Sequence, residues 1–178
     1  MIRYIFNKML LAMKNKYSYD VTYQQDILST DVAAFLKFMG LQMMASHSGN
    51  VPAGLLYAAR IRAIISEDCG PCAQLVVNMA LEANVAPAVV RAIVDRDLNN
   101  LPEDIALIVQ FTELVLAHDP LADPLRSKIL ALWGQKGLVA LGFAISSCRV
   151  YPILKYSLGH GHTCSRIIVD GQSLAPVR

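Results

Sequence analysis

Apolar residues recur three and four positions apart along almost the whole of this chain, and no strict two-residue alternation lasts more than a few residues. That period marks one face of an α-helix, so the sequence predicts an all-α fold and makes a sheet unlikely to form. Between Asp26 and Met44 the stripe is Ile27, Val32, Phe35, Leu36, Met39, Leu41 and Met43, read as one helix. Ser46 to Asn50 breaks it. Pro52 suits the first turn of the next helix, with Leu55, Leu56, Ala59, Ala63 and Ile64 along one face.

That helix runs directly into Cys69. Leu75, Val76, Met79 and Ala80 belong to another, expected to stop near Asn84, and Pro87 opens a short one over Val89 to Val94. Pro102-Glu103-Asp104 is a good helix start, because proline and acidic residues suit a first turn. Ile105, Ile108, Val109, Thr112 and Val115 carry its stripe, and His118-Asp119-Pro120 closes it. A shorter helix, Pro124 to Trp133, and a long apolar one, Leu138 to Leu158 with a kink at Pro152, complete the set. No linker divides the chain, which reads as a single domain: an N-terminal helical extension over 1–25, the helical domain over 26–160, and a polar C-terminal tail over 161–178.

A chain of 178 residues buries roughly two-thirds of its unfolded surface and needs no disulfide scaffold. Its 54% hydrophobic content is high for a lone soluble subunit, so a homo-oligomer is expected. A net charge of +2 and the lack of a basic stripe argue against nucleic acid as a partner. The apolar run Gly137 to Cys148 falls short of the roughly 20 residues a membrane span needs, so no membrane-spanning segment is expected. Met1 to Lys16, with Arg3, Lys8, Lys14 and Lys16, reads as an amphipathic helix rather than a cleaved leader. Four cysteines, two of them in a C-x-x-C, do not make a secreted framework, and a cytoplasmic protein is expected.

The chemistry-bearing segment is Glu67-Asp68-Cys69-Gly70-Pro71-Cys72. Cysteines at i and i+3 at a helix start share a face and can close a disulfide, while unpaired amides and the helix dipole favour the first thiol as thiolate. Cys72 is expected to be the more sheltered of the two. Glu67 and Asp68 oppose ionisation by like-charge repulsion unless one carries a proton for transfer, and Arg60 and Arg62 are candidates to offset them. Cys-Gly-Pro-Cys also occurs in thioredoxin, but there it follows a strand. Here Tyr57 to Ser66 is helical, so that fold is rejected.

The stretch Ala58-Ala59-Arg60-Ile61-Arg62-Ala63-Ile64-Ile65 leading into Cys69-x-x-Cys72, with a helix ending near Asn84-Val85, resembles the carboxymuconolactone decarboxylase and alkyl hydroperoxide reductase D superfamily. Pro102 to Ala117, Pro124 to Trp133 and Gly137 to Gly159 look like the superfamily's later helices, so the resemblance covers about residues 30 to 160. It implies an AhpD-like helical bundle that assembles into trimers or hexamers. It also implies hydroperoxidase or disulfide reductase activity, with Cys72 as the peroxide-reacting thiol, Cys69 as the resolving one, and a dithiol reductant as partner. No bound cofactor or metal is implied. The superfamily's proton relay uses a glutamate twelve residues before the first cysteine and a histidine four after the second, and this sequence has Tyr57 and Val76 there. Glu67, Asp68, Tyr57 or a histidine from elsewhere would have to replace it. Tyr57, with an ordinary pKa of about 10, is a poor base at neutral pH.

Two other readings stay open. A non-catalytic member would keep the oligomeric fold and use its apolar surface for binding. A zinc site could join Cys69 and Cys72 to His160, His162 and Cys164. Cys148 reads as a small buried hydrophobe, and His47 as a solvated loop residue that could still reach the cysteines.

Overall fold

A computed structural model describes residues 1–162 and 166–177. The chain forms α1 (Ile2–Tyr17), α2 (Thr22–Thr30), α3 (Val32–Ala45), α4 (Ala53–Ser66), α5 (Gly70–Glu82), α6 (Pro87–Val94), α7 (Glu103–Leu116) and α8 (Ala122–Ser157). A 3-10 turn, Leu98–Asn100, precedes α7, and a hairpin of β1 (Ile167–Val169) and β2 (Gln172–Leu174) follows α8.

The protein is mostly helical, with α4 at its centre. Leu55, Leu56, Ala58, Ala59, Ile61, Ala63, Ile64 and Ile65 are all buried, so this helix is covered nearly all round rather than along the single expected face. It packs against α5, α7 and α8. A second cluster centres on Tyr23, Phe35 and Phe38 and ties α1 to α3 onto α8. Its rings meet edge-on or tilted: Phe6 and Phe35 lie 5.1 Å apart, and Phe38 and Tyr151 5.6 Å. The boundary expected between residues 25 and 26 lies inside α2.

The helix expected over Asp26 to Met44 is two. Asp31 adopts an extended conformation (φ −147°, ψ 112°), and its carboxylate accepts a hydrogen bond from the Ala33 amide 2.7 Å away, capping α3. The apolar stripe runs across the break and hid it. The expected interruption between Trp133 and Leu138 is real and falls at Gly134. Helical dihedrals continue through Pro152, where a kink was expected, and only Gly134 departs from them within α8. At φ 65° and ψ −173°, Gly134 occupies a region that is essentially glycine-only, and a Cβ there would meet nothing within 4 Å. Gly134→Ala should therefore cost about 1–3 kcal/mol through the backbone alone. Thermal unfolding checks this, and an unchanged or raised Tm would refute it.

The region read as a polar tail contains the hairpin. Asp170 (φ 48°) and Gly171 (φ 76°) join β1 to β2 in a two-residue turn with both residues left-handed, the geometry Asp-Gly favours. Ile167 and Val169 are fully buried. Gln74 of α5 pairs with both backbone groups of Ile168, its Oε1 accepting from the amide at 2.7 Å and its Nε2 donating to the carbonyl at 2.9 Å. The amide side chain thus completes the strand's edge.

By length and composition α8 is apolar enough to cross a membrane, where no such helix was expected. Its backbone is interrupted at Gly134, and it buries Leu141, Ala144, Ile145 and Lys155 within the protein.

Candidate active site

The segment between α4 and α5 is built around a reversal. Ser66 ends α4, Asp68 takes a left-handed conformation (φ 52°) that aspartate tolerates better than most residues, and Cys69 is extended as the residue before α5. Pro71 lies in the first turn of α5, where its missing amide hydrogen costs nothing. Cys69 and Cys72 are joined as a disulfide, with Cα atoms 5.3 Å apart. The helix preceding the pair is fully formed, as the rejection of a thioredoxin arrangement required.

Both sulfurs are enclosed. Cys69 is 0% exposed and Cys72 3%, so the expectation that Cys72 would be the more sheltered of the two is corrected. The segment following α8 lies against this turn. The Gly70 amide donates to the His162 carbonyl at 3.2 Å, and the Tyr156 hydroxyl donates to the Asp68 carbonyl at 2.9 Å. His160 anchors the same segment, its amide donating to the Lys155 carbonyl at 2.8 Å and its Nε2 lying 2.9 Å from Asp26 Oδ2.

Of the two acidic residues before the pair, Glu67 has a different partner from those expected. Glu67 is ion-paired with Arg149 of α8. Arg60 donates to the Ala45 carbonyl at 2.7 Å and lies 4.9 Å over the Tyr57 ring, while the buried Arg62 pairs with Glu113 at 2.8 Å. Arg149 therefore does what Arg60 and Arg62 were expected to do. Burial raises the pKa of Tyr57, and no hydrogen bond among the described residues joins it to either cysteine. Val76, at the other relay position, is buried.

A residue that the sequence reading did not single out stands beside Cys72, with Lys155 and Tyr23 packed behind it. The Tyr19 hydroxyl lies 3.7 Å from Cys72 Sγ in a buried contact. Lys155 of α8 is 0% exposed, with its Nζ 4.9 Å over the Tyr19 ring and 5.3 Å over that of Tyr23. Among the described residues Nζ has no hydrogen-bond partner. Burial lowers the Lys155 pKa, and the negative Asp20 opposes that shift. Burial pushes the Tyr19 hydroxyl up to about 12 and raises Tyr23 further, while Tyr23 accepts from Gln24 Nε2 at 3.1 Å. Asp20 is held below the usual carboxylate range mainly by the Thr22 hydroxyl, 2.6 Å away.

The remaining candidates lie elsewhere. Cys148 is free and buried, and burial pushes its thiol up to about 12, so it is a packing residue rather than a nucleophile at neutral pH. His47 is exposed and meets the Phe143 ring edge-on at 5.6 Å. The Cys164 proposed for a zinc site lies outside the described residues. Among those described, no three histidine, cysteine or acidic side chains gather around a common point. His160 is engaged with Asp26, and the two cysteines with each other.

Among the described residues, the disulfide thus has the Tyr19 hydroxyl at Cys72 and the Lys155 ammonium over the ring of that tyrosine. Comparison with family models, with curated proteins and with solved structures finds no match.

Proposed function

We propose that this chain is a thiol-dependent oxidoreductase that reduces a hydroperoxide or a disulfide through the Cys69–Cys72 pair. The observation that carries the reading is a disulfide at the start of α5 whose Cys72 sulfur has a hydroxyl donor, Tyr19, at 3.7 Å. In the peroxide reaction, the Cys72 thiolate attacks one peroxide oxygen and the O–O bond breaks. An alcohol leaves after taking a proton, and Cys72 becomes a sulfenic acid. The Cys69 thiolate then attacks the Cys72 sulfur and hydroxide departs as water, closing the disulfide. A dithiol donor returns two electrons and two protons, reopening the pair and leaving as its own disulfide.

The helical run into the C-x-x-C supports membership of the alkyl hydroperoxide reductase D superfamily, with Tyr19 taking up proton chemistry for which Tyr57 and Val76 are unsuited. Exposed Leu36 and Met43 on α3, with Val139 and Phe143 on α8, support an oligomer such as a trimer or hexamer. Recycling by a dithiol pool favours a reducing compartment such as the cytoplasm. A second reading, a non-catalytic binding protein with a structural disulfide, is favoured by the enclosure of both sulfurs.

Mass spectrometry of the reduced protein after brief exposure to hydrogen peroxide or an alkyl hydroperoxide separates the two. The expected result is rapid loss of two thiols with a Cys69–Cys72 linkage, abolished in Cys72→Ser. Oxidation no faster than that of free cysteine, together with resistance of the native disulfide to dithiols, would overturn the enzymatic reading in favour of the structural one.

A further inference from the structure

We propose that Lys155 is a positioning residue of this redox centre, supplying across Tyr19 the positive field that the Cys72 sulfur requires when the Cys69–Cys72 bond opens. The inference rests on the redox reading and extends it to a residue far from the motif in sequence.

A fully buried ammonium with no hydrogen-bond partner among the described residues is expensive to maintain and calls for an explanation. In the disulfide state its surroundings offset part of that cost. The faces of Tyr19 and Tyr23 lie 4.9 and 5.3 Å from Nζ, and the carboxylate of Asp20 attracts it. What the disulfide state lacks is an anion on the far side of Tyr19. Opening the bond creates one there, because Cys72 Sγ lies 3.7 Å from the Tyr19 hydroxyl. In a water-poor interior, attraction between that thiolate and the ammonium is much stronger than at the surface.

The reductive step balances. A thiolate of the dithiol donor attacks Cys69 Sγ, forming a mixed disulfide, and the electron pair of the broken S–S bond goes to Cys72 Sγ. The Tyr19 hydroxyl donates a hydrogen bond to the nascent thiolate, Lys155 stays charged behind the ring, and solvent then supplies the proton that makes Cys72 a thiol. The donor's second thiol then displaces the Cys69 sulfur. The donor ends as a disulfide and both protein cysteines end as thiols, the proton on Cys72 replacing the one the donor's attacking thiol gave to solvent and that on Cys69 coming from the donor's second thiol. In the peroxide direction the same charge holds Cys72 as the attacking thiolate. The other charged or titratable groups facing this cluster are Asp20 before α2, Tyr23 of α2, Tyr151 of α8, and His160 paired with Asp26.

The experiment is a pH titration of the reduced protein labelled with ¹³C at cysteine Cβ, read by NMR so that Cys72 is followed individually. It compares the wild type with Lys155→Met, Tyr19→Phe and the double variant. Lys155→Met should raise the Cys72 pKa by at least about one unit, a tenfold loss of thiolate at neutral pH. Tyr19→Phe should shift it in the same direction, and the double variant should exceed the larger single effect by little, because both act along one path. A merely structural role would move the melting temperature and leave the Cys72 titration where it was. Tyr19→Phe removes one oxygen atom and keeps the ring, so it tests the path even where Lys155→Met folds poorly. A Cys72 titration unmoved in both variants overturns the assignment, whatever the protein does with peroxide. Failure of the redox reading itself would show separately, as wild-type thiols that peroxide does not join.

Discussion

Replacing Glu113 with alanine is expected to cost about 3 kcal/mol of folding stability, because it strands a buried guanidinium. Arg62 is 3% exposed on the central helix α4, and its Nη2 lies 2.8 Å from Glu113 Oε1. Its Nη1 donates to the carbonyls of Val177 at 2.7 Å and Ile93 at 3.3 Å. Burial lowers the Arg62 pKa and Glu113 opposes that shift, which is the signature of a charge kept inside by its partner. Glu113 is one-fifth exposed and also accepts two hydrogen bonds from Arg96, at 3.0 and 3.1 Å, which places the estimate at the lower end of the range for broken buried pairs. Urea unfolding of Glu113→Ala and Glu113→Gln measures it, the glutamine variant retaining an acceptor and losing less. A loss below about 1 kcal/mol in Glu113→Ala would mean that solvent screens the pair as it does surface ion pairs.

Stability should also fall steeply above pH 9. Burial pushes the Cys148 thiol from 9.0 up to about 12, and the Tyr19 and Tyr151 hydroxyls from 10.0 up to about 12, with Tyr23 raised further. A group whose folded pKa lies above its unfolded one contributes stability below the unfolded value and loses it as pH climbs through the folded value. The window therefore opens near pH 9 with the thiol, deepens from pH 10 with the phenols, and extends to about 12. Each displaced unit is worth about 1.4 kcal/mol. Lys155 acts in the opposite sense: its lowered pKa penalises folding at neutral pH, and that penalty fades as pH rises toward 10.5. These raised groups, with Tyr57 raised by burial as well, outweigh Lys155, so the net loss should reach several kcal/mol by pH 11. Melting temperature against pH, followed with tyrosinate absorbance, checks this. Cys148→Ala should delay the onset by about one pH unit, the interval between ordinary thiol and phenol ionisation. A flat Tm from pH 9 to 11, with every tyrosine titrating near 10, would defeat the argument.

The sequence made much of the scaffold legible, because long periodic segments and strong helix-start residues act locally. The helix leading into Cys69, the start of α7 at Pro102-Glu103-Asp104 and the interruption before Leu138 all follow from neighbours along the chain. Two misreadings had local signals behind them. Asp31 is a strong capping residue inside an apolar stripe, and Asp170-Gly171 is a hairpin turn directly after the short apolar run Ile167-Ile168-Val169. The neighbours of the site were illegible for a different reason. Tyr19, Cys72 and Lys155 come from three distant segments, and nothing in their spacing announces that the fold unites them. Arg149 escaped similarly, being far from Glu67 in sequence, whereas Arg60 and Arg62 were attractive because they were near.

The second half of α8 braces the surroundings of the disulfide at three places. Beyond Gly134, this one rod carries Arg149, which holds Glu67, Lys155, which stands behind Tyr19, and Tyr156, which holds the Asp68 carbonyl. A rotation of that rod about the glycine would loosen the grip on the turn before Cys69 and withdraw the cation behind Cys72 in a single movement. One stretch of helix thus bears on both the enclosure of the sulfurs and the charge beside them, though the residues concerned lie far from the C-x-x-C in sequence.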